Sequence, residues 1–327
     1  MRTRPTLGSL ARLLLVVFVA WPALIATGTA ADLKPIPVVL DTDIGDDIDD
    51  TWALIMLLKS PQLEVRLVTT TYGKAEYRGK IIARILTIAQ RTDIPIGLGA
   101  GGRGGEGGQQ PWVKDYALSS YAGKVHEDGV QALIDAINQA SQPLTIISIG
   151  PSTTVAAALD RQPAIAPKAF FVGMQGSVRK GYDGGAVSPE WNVKADIKAA
   201  QKALLAPWKQ TTITPLDTCG LVKVRGERFA TLARSQDPLA RALLENYRIW
   251  AKKENVTESS VLFDTVGVYL AYPGSKPLVE LEDLQINVNA EGVTTLDPKG
   301  VKMSVATVWK DLGGYEDLLV KVLVGTR

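Results

Sequence analysis

The stretch Asp41-Thr-Asp43-Ile-Gly-Asp46-Asp47-Ile-Asp49-Asp50 places six carboxylates within ten residues. Negative charges this close repel one another unless protons or a cation neutralise them, and a divalent metal ion does so most simply. The chain has one histidine, His126, and one cysteine, Cys219. A zinc or iron site of the Cys/His type therefore cannot be assembled within it, and a metal must be bound by oxygen. Carboxylates with carbonyl oxygens favour calcium or magnesium, and a loop offering roughly six to eight oxygens favours calcium (Ca2+). The competing reading makes Asp49 or Asp50 a helix cap and leaves the other aspartates in solvent. That accounts for one or two of them and gives Asp41 and Asp43 no role.

The elements that must position this cluster can be read from the flanking pattern. Pro37-Val-Val-Leu40 is a short buried strand, so Asp41 and Asp43 lie at its carboxyl end, where open α/β sheets form ligand crevices. Gly45 permits the turn into a helix over 49–59. Strand patterns at 63–71, 94–97, 144–149, 169–172 and 211–214 alternate with helical patterns near 76–91, 127–140, 152–159 and 194–206. A further helix spans 237–254, strands follow near 284–288, 293–296 and 303–305, and a helix over 315–323 ends the pattern. The order predicts an α/β fold: a single-domain, open, mixed, mostly parallel sheet flanked by helices. Residues 97–108 hold eight glycines in twelve positions but no following Gly-Lys-Ser/Thr, which predicts a flexible lid or a plain surface loop instead of a phosphate cradle. Tyr247 and Trp250 lie three apart on one helix face, as core or as pocket lining.

The formal charge is +2 over 327 residues. Residues 1–31 carry three arginines and no acid, so without them the charge is −1. Arg2, Arg4 and Arg12 ahead of the apolar run Leu13 to Ala20, with small residues at 26–31, read as a secretory signal peptide cleaved near Ala30 or Ala31. The run is interrupted by Pro22 and is shorter than the ~20 apolar residues of a spanning helix. The expectation is a secreted or periplasmic protein, with residues 32–327 as one domain and no membrane insertion after cleavage. Lysines and arginines are dispersed among acids, so no nucleic-acid surface is expected. One cysteine excludes an intramolecular disulfide.

Leu40 to Leu54 resembles the opening motif of the inosine-uridine preferring nucleoside hydrolase family. Further segments agree in the family's order: Thr69-Thr-Thr-Tyr-Gly73, Ser148-Ile-Gly-Pro-Ser-Thr153, Phe171-Val-Gly-Met174-Gln-Gly, Pro189-Glu190-Trp-Asn192 and Phe263-Asp264. The resemblance spans about 37 to 323, nearly all of the chain beyond the leader. It implies a ribonucleoside, or related N-riboside, as a small-molecule substrate, hydrolysed to base and ribose. Asp43 would be the general base acting on a metal-bound water, and Asp43, Asp50, Asp264 and the carbonyl of Thr153 would hold calcium. Asp49, Glu190 and Asn192 would bind the ribose hydroxyls, and Met174 would pack beneath the sugar. The family also includes homo-oligomers, for which this sequence shows no interface signature. Read from the residues alone, Ser152 and Thr153 could cap a helix, Met174 could be core, Asp264 could cap a helix, and Glu190 and Asn192 could sit on a solvated turn.

Four positions depart from the family's pattern. The loop from Gly45 to Asp50 is two residues longer, which makes Asp47 an alternative to Asp49 at the ribose. Lys74 replaces an asparagine beside the base, and an ammonium there would depress the pKa of Asp43. No asparagine in Tyr182-Asp-Gly-Gly-Ala186 matches the one that usually precedes Glu-x-Asn. Phe263 stands where the family has a histidine that protonates the leaving purine, so that proton must come from Tyr247, Lys74, solvent or the substrate; His126 fits a loop better. Two other classes compete: a non-catalytic sugar or nucleoside binder on the same fold, and a haloacid-dehalogenase-like phosphatase built on Asp41-x-Asp43. The phosphatase reading leaves Asp49-Asp50 and Glu190-x-Asn192 without a role.

Overall fold

The computed structural model describes residues 34–102, 104–272 and 278–325; the expected signal peptide at 1–31 lies outside them. The strands are β1 (Ile36–Thr42), β2 (Leu63–Thr70), β3 (Ile96–Gly97), β4 (Val125–His126), β5 (Leu144–Ser148), β6 (Ala169–Met174), β7 (Thr211–Thr214), β8 (Val279–Val288), β9 (Thr294–Leu296) and β10 (Val301–Trp309). They form one sheet in the order β4-β3-β2-β1-β5-β6-β7-β10-β8-β9. Pairing is parallel from β4 across to β10, and antiparallel for β10–β8 and β8–β9. This is the mixed, mostly parallel α/β sheet the alternation predicts.

Among the described residues the helices are α1 (Asp49–Leu58), α2 (Ala75–Ile88), α3 (Gln110–Val113), α4 (Gly129–Gln139), α5 (Thr153–Arg161), α6 (Trp191–Ala195), α7 (Ile197–Leu204), α8 (Leu216–Cys219), α9 (Glu227–Ala233), α10 (Pro238–Ala251), α11 (Phe263–Leu270) and α12 (Leu312–Val324). A parallel sheet is apolar on both faces because helices cover both. In β1, Val38 and Leu40 face a core shared with α1, α2, α10 and α12, while Val39 faces a second core shared with α4, α5 and α7. Every residue of α1 is buried, consistent with its apolar surface all round, so Asp49 and Asp50 in its first turn are carried into the interior.

Where the elements differ from expectation, side chains explain most of it. The single helix expected over 194–206 is two, because Asp196 leaves the helical region at φ −147° and accepts the Ala199 amide, capping α7. The strand expected at 284–288 starts at Val279; its first half carries Glu280, Glu282 and Asp283 and lacks an apolar run. The glycine-rich segment is anchored at both ends. A Cβ at Gly99 would lie 1.9 Å from the Thr70 carbonyl, and one at Gly107 would lie 2.0 Å from the Gly45 carbonyl. Those approaches require glycine, and the second presses the segment against the aspartate loop. No described helix is long and apolar enough to cross a membrane.

Gly99→Ala should therefore force the β2 end and α5 apart. The expected loss is about 1–3 kcal/mol, read as a lower urea midpoint; an unchanged midpoint would show that the backbone relaxes freely there.

Candidate active site

β1 lies between β2 and β5; the strands run outward from β1 through β2 and β3 to β4 on one side and from β5 through β6 to β7 on the other, so the carboxyl ends of β1 and β5 form the switch point of the sheet. Asp43 follows β1 directly, and its Oδ1 sits where a Cβ on Gly150, just past β5, would come within 2.7 Å. The glycine of the Gly-Pro-Ser-Thr turn is thus the space Asp43 occupies. A cleft of about 420 Å³ opens here. It is lined by the carboxylates of Asp43, Asp46, Asp47, Asp49, Asp50, Glu190 and Asp264, by the rings of Tyr182, Trp191, Trp250 and Phe263, and by Ile149, Met174 and Asn192. A larger hollow of about 630 Å³ lies at the amino ends of the strands, beside Pro37, Leu144 and His126. It gathers no acidic cluster, and His126, on the edge strand β4, is far from the chemistry, as its motif suggests.

One carboxylate oxygen from each of Asp49, Asp50 and Asp264 falls within 4.8 Å of the others. This tight trio contains Asp49 where the resemblance implies Asp43. Neither α1 nor α11 has a side-chain cap: the cap positions are Ile48 and Leu262, and Asp49, Asp50 and Asp264 occupy first turns. The helix-cap readings are therefore replaced by two helix N-termini that aim their partial positive charge and their acids at one point. Asp49 Oδ2 accepts the Asp264 amide at 3.2 Å, and Asp50 Oδ1 accepts the Thr42 hydroxyl at 2.5 Å. Burial, then repulsion from neighbouring aspartates, holds all three carboxyls well above the usual range. Burial likewise pushes Asp43 up to about 7, opposed by Arg78 and reinforced by Asp46 and Asp47.

Arg78 is the cation beside Asp43, in place of the Lys74 expected from sequence. The Lys74 ammonium is more than half exposed and lies 3.9 Å from Glu106. Arg78 is 1% exposed and donates to the carbonyls of Asp43, Ile44 and Tyr72 and to Asp46 Oδ2 at 2.8 Å. It pins the start of the loop that leads into α1. Gln109 adds a second clamp, donating to the Asp47 carbonyl at 2.7 Å and accepting from Thr51 and Asn246. Neither residue lies in a recognisable motif, so sequence offers no signal for them.

Asp41 lies behind Asp43, fully buried, with one oxygen accepting the Thr69 hydroxyl at 2.7 Å and the other unpartnered; burial pushes it to about 7. Thr153 spends its hydroxyl on Thr71, Ala100 and the Tyr72 amide, which leaves its main-chain carbonyl as its candidate ligand. Ser152 and Tyr72, at φ 56° and 52°, hold left-handed backbone on either side of it, a strain that packed sites tolerate. Glu190 is buried, not on a solvated turn: its oxygens accept the amides of Gly176, Asn192 and Val193, and burial raises its carboxyl to about 7. Asn192 donates to the carbonyls of Ile149 and Met174 and to the Met174 sulfur. Tyr247 is corrected: its hydroxyl donates to the Glu258 carbonyl and its ring stacks behind Trp250, so Trp250 faces the cleft and Tyr247 supports it.

The sequence profile of the family described as inosine-uridine preferring nucleoside hydrolase matches residues 38–312. This chain belongs to that family. A pyrimidine-specific ribonucleoside hydrolase, RihA, of Salmonella agona is 26% identical over 236 residues, covering 67% of this chain and 73% of that one. Among solved structures, a plant nucleoside hydrolase superposes with a TM-score of 0.76 at 20% identity, over 90% of this chain and 100% of that one. A purine-preferring ribonucleoside hydrolase from Gardnerella vaginalis gives 0.70 at 20% identity, over 88% and 98%. These establish a nucleoside hydrolase, an enzyme that hydrolyses ribonucleosides, and they replace the phosphatase reading of Asp41-x-Asp43. The nucleoside hydrolase family is metal-dependent, and the trio suits a hard divalent cation: all oxygen, buried, and not ion-paired to any described lysine or arginine.

Without a cation these acids set the stability profile. Asp41, Asp43 and Glu190 titrate near 7 in the fold against 3.8, 3.8 and 4.5 ordinarily. The folded chain then binds more protons than the unfolded one between about pH 4 and about pH 7, so its stability falls as pH rises through that window. In chelator, Tm should rise as pH drops from about 8 to about 5, and a divalent cation should raise Tm most at the upper end. A chelated Tm that falls toward pH 5 would contradict this.

Proposed function

We propose that calcium is the ion and that Asp43 is the base, with Asp43, Asp50, Asp264 and the Thr153 carbonyl as ligands and Asp49 closing the set. When bound, a dication at these oxygens would acidify a water molecule and fix the sugar hydroxyls. Asp43 takes the proton of the attacking water, and its raised affinity for protons suits a base working near neutrality. Asp47, Asp49, Glu190 and Asn192 hold the ribose. Glu190 is locked by three backbone amides, and Asn192 has both amide protons directed at carbonyls, which leaves its oxygen to accept a sugar hydroxyl. Met174 lies under the ring, its sulfur fixed by Asn192. The carboxylates around this position stabilise the oxocarbenium-like ribosyl group as the N-glycosidic bond opens.

The observation that carries this reading is the meeting of Asp49, Asp50 and Asp264 at the end of β1 beside Asp43. The arginine-flanked apolar segment at 1–31 supports action outside the cytoplasm, which fractionation of expressing cells would check. Base release from a nucleoside panel with calcium present tests the chemistry; no release with calcium bound would refute it. Asp43→Asn should lower kcat at least about 10²-fold while calorimetry still detects nucleoside binding. A non-catalytic binder, the alternative on this fold, would show no turnover for either protein to lose.

A further inference from the structure

We propose that the preferred substrates are N-ribosides whose leaving heterocycle carries a positive charge, such as a pyridinium or an N7-alkylated purine, because the base end of the cleft offers aromatic faces and no histidine or lysine to protonate a departing base. This rests on the ribosyl-hydrolysis reading above.

With the sugar held among Glu190, Asn192, Met174 and the aspartates, the remaining lining is Ile149 and the rings of Tyr182, Trp191, Trp250 and Phe263. Phe263 meets Tyr182 edge to face at 6.3 Å, and Trp250 is held flat by Tyr247 at 5.9 Å, with its indole N–H donated to the Asp46 carbonyl. Trp191 is 52% exposed at the mouth. A neutral purine or pyrimidine leaves as an anion unless a proton reaches it, and a positioned acid contributes about 10²–10⁴-fold. No imidazole or ammonium lines this end. His126 is on the edge strand β4, three strands from β1, Lys74 turns to Glu106, and the Arg78 guanidinium is committed to three carbonyls and Asp46. The Tyr182 hydroxyl accepts the Trp191 amide and keeps its own proton, but burial makes it a weaker acid than an ordinary phenol and so a poor donor to a departing base.

A heterocycle that is already cationic needs no acid. The C1′–N bond breaks, its electron pair goes to the ring nitrogen, and the base departs neutral; water supplies oxygen to C1′ and a proton to Asp43, which passes it to solvent. The same wall recognises the cation. Aromatic faces attract it, and the lining carries seven carboxylates and no lysine, arginine or histidine, of which a dication and Arg78 together offset three charges.

The test compares kcat/KM, with calcium, for two matched arms: 7-methylguanosine against guanosine, and nicotinamide riboside against uridine. The expected ratio of charged to neutral substrate is about 10²-fold or more in at least one arm, the arm that responds naming the heterocycle, a size equal to the missing acid's contribution. Phe263→Leu should lower that ratio several-fold, a readout indifferent to how much protein folds. Ratios near one in both arms, with guanosine or uridine cleaved, overturn the inference and leave nucleoside hydrolysis standing. Release from none of the four overturns both.

Discussion

The energetic problem this fold must solve is the burial of acid at one point. Asp41, Asp43, Asp49, Asp50, Glu190 and Asp264 are each at most 5% exposed. An ionised carboxylate withdrawn from water without a partner is among the costliest groups a protein can hold. No described lysine or arginine pairs with Asp49, Asp50 or Asp264, so the chain alone can relieve them only by protonation. A divalent cation removes that constraint, which ties the stability of this region to the ion on which the chemistry depends.

The scaffold around the cluster reads as a set of answers to that problem. α1 and α11 direct their N-termini at it, and Arg78 holds the loop by its carbonyls while remaining close enough to pull on Asp43. Glycine lets backbone approach where a side chain would intrude, at Gly150 against Asp43 and at Gly107 against the Gly45 carbonyl. Hydroxyls of Thr42, Thr69 and Thr71 supply hydrogen bonds without adding charge. Strained backbone at Tyr72 and Ser152 is retained because packing on both sides leaves no alternative.

The cleft therefore has two chemically distinct ends. The end proposed for the sugar is polar, and Glu190 and Asn192 have most of their hydrogen bonds committed before a ligand arrives, so little ordering of these two remains to be done on binding. The base end is a wall of rings braced from behind by Tyr247. On the proposed reading, catalytic power invested in the ribosyl group and withheld from the departing base would make the substrate's own leaving ability part of its specificity.

Much of this was legible in the sequence. The alternation of short apolar runs with helical patterns determined the sheet, because burial on both faces leaves the same signature wherever it occurs. Six acids in ten residues at a strand end determined a metal-centred site, and five ordered motifs determined the family. Tertiary structure decided which acids meet, since Asp264 lies 215 positions from the Asp49 that accepts its amide. It decided that Arg78 and not Lys74 is the cation beside Asp43, that Glu190 is buried, and that Trp250 faces the cleft while Tyr247 stands behind it. Local patterns report what each segment buries, but which side chains share a point depends on how α1, α2, α10 and α11 pack around the end of β1, and no single segment encodes that.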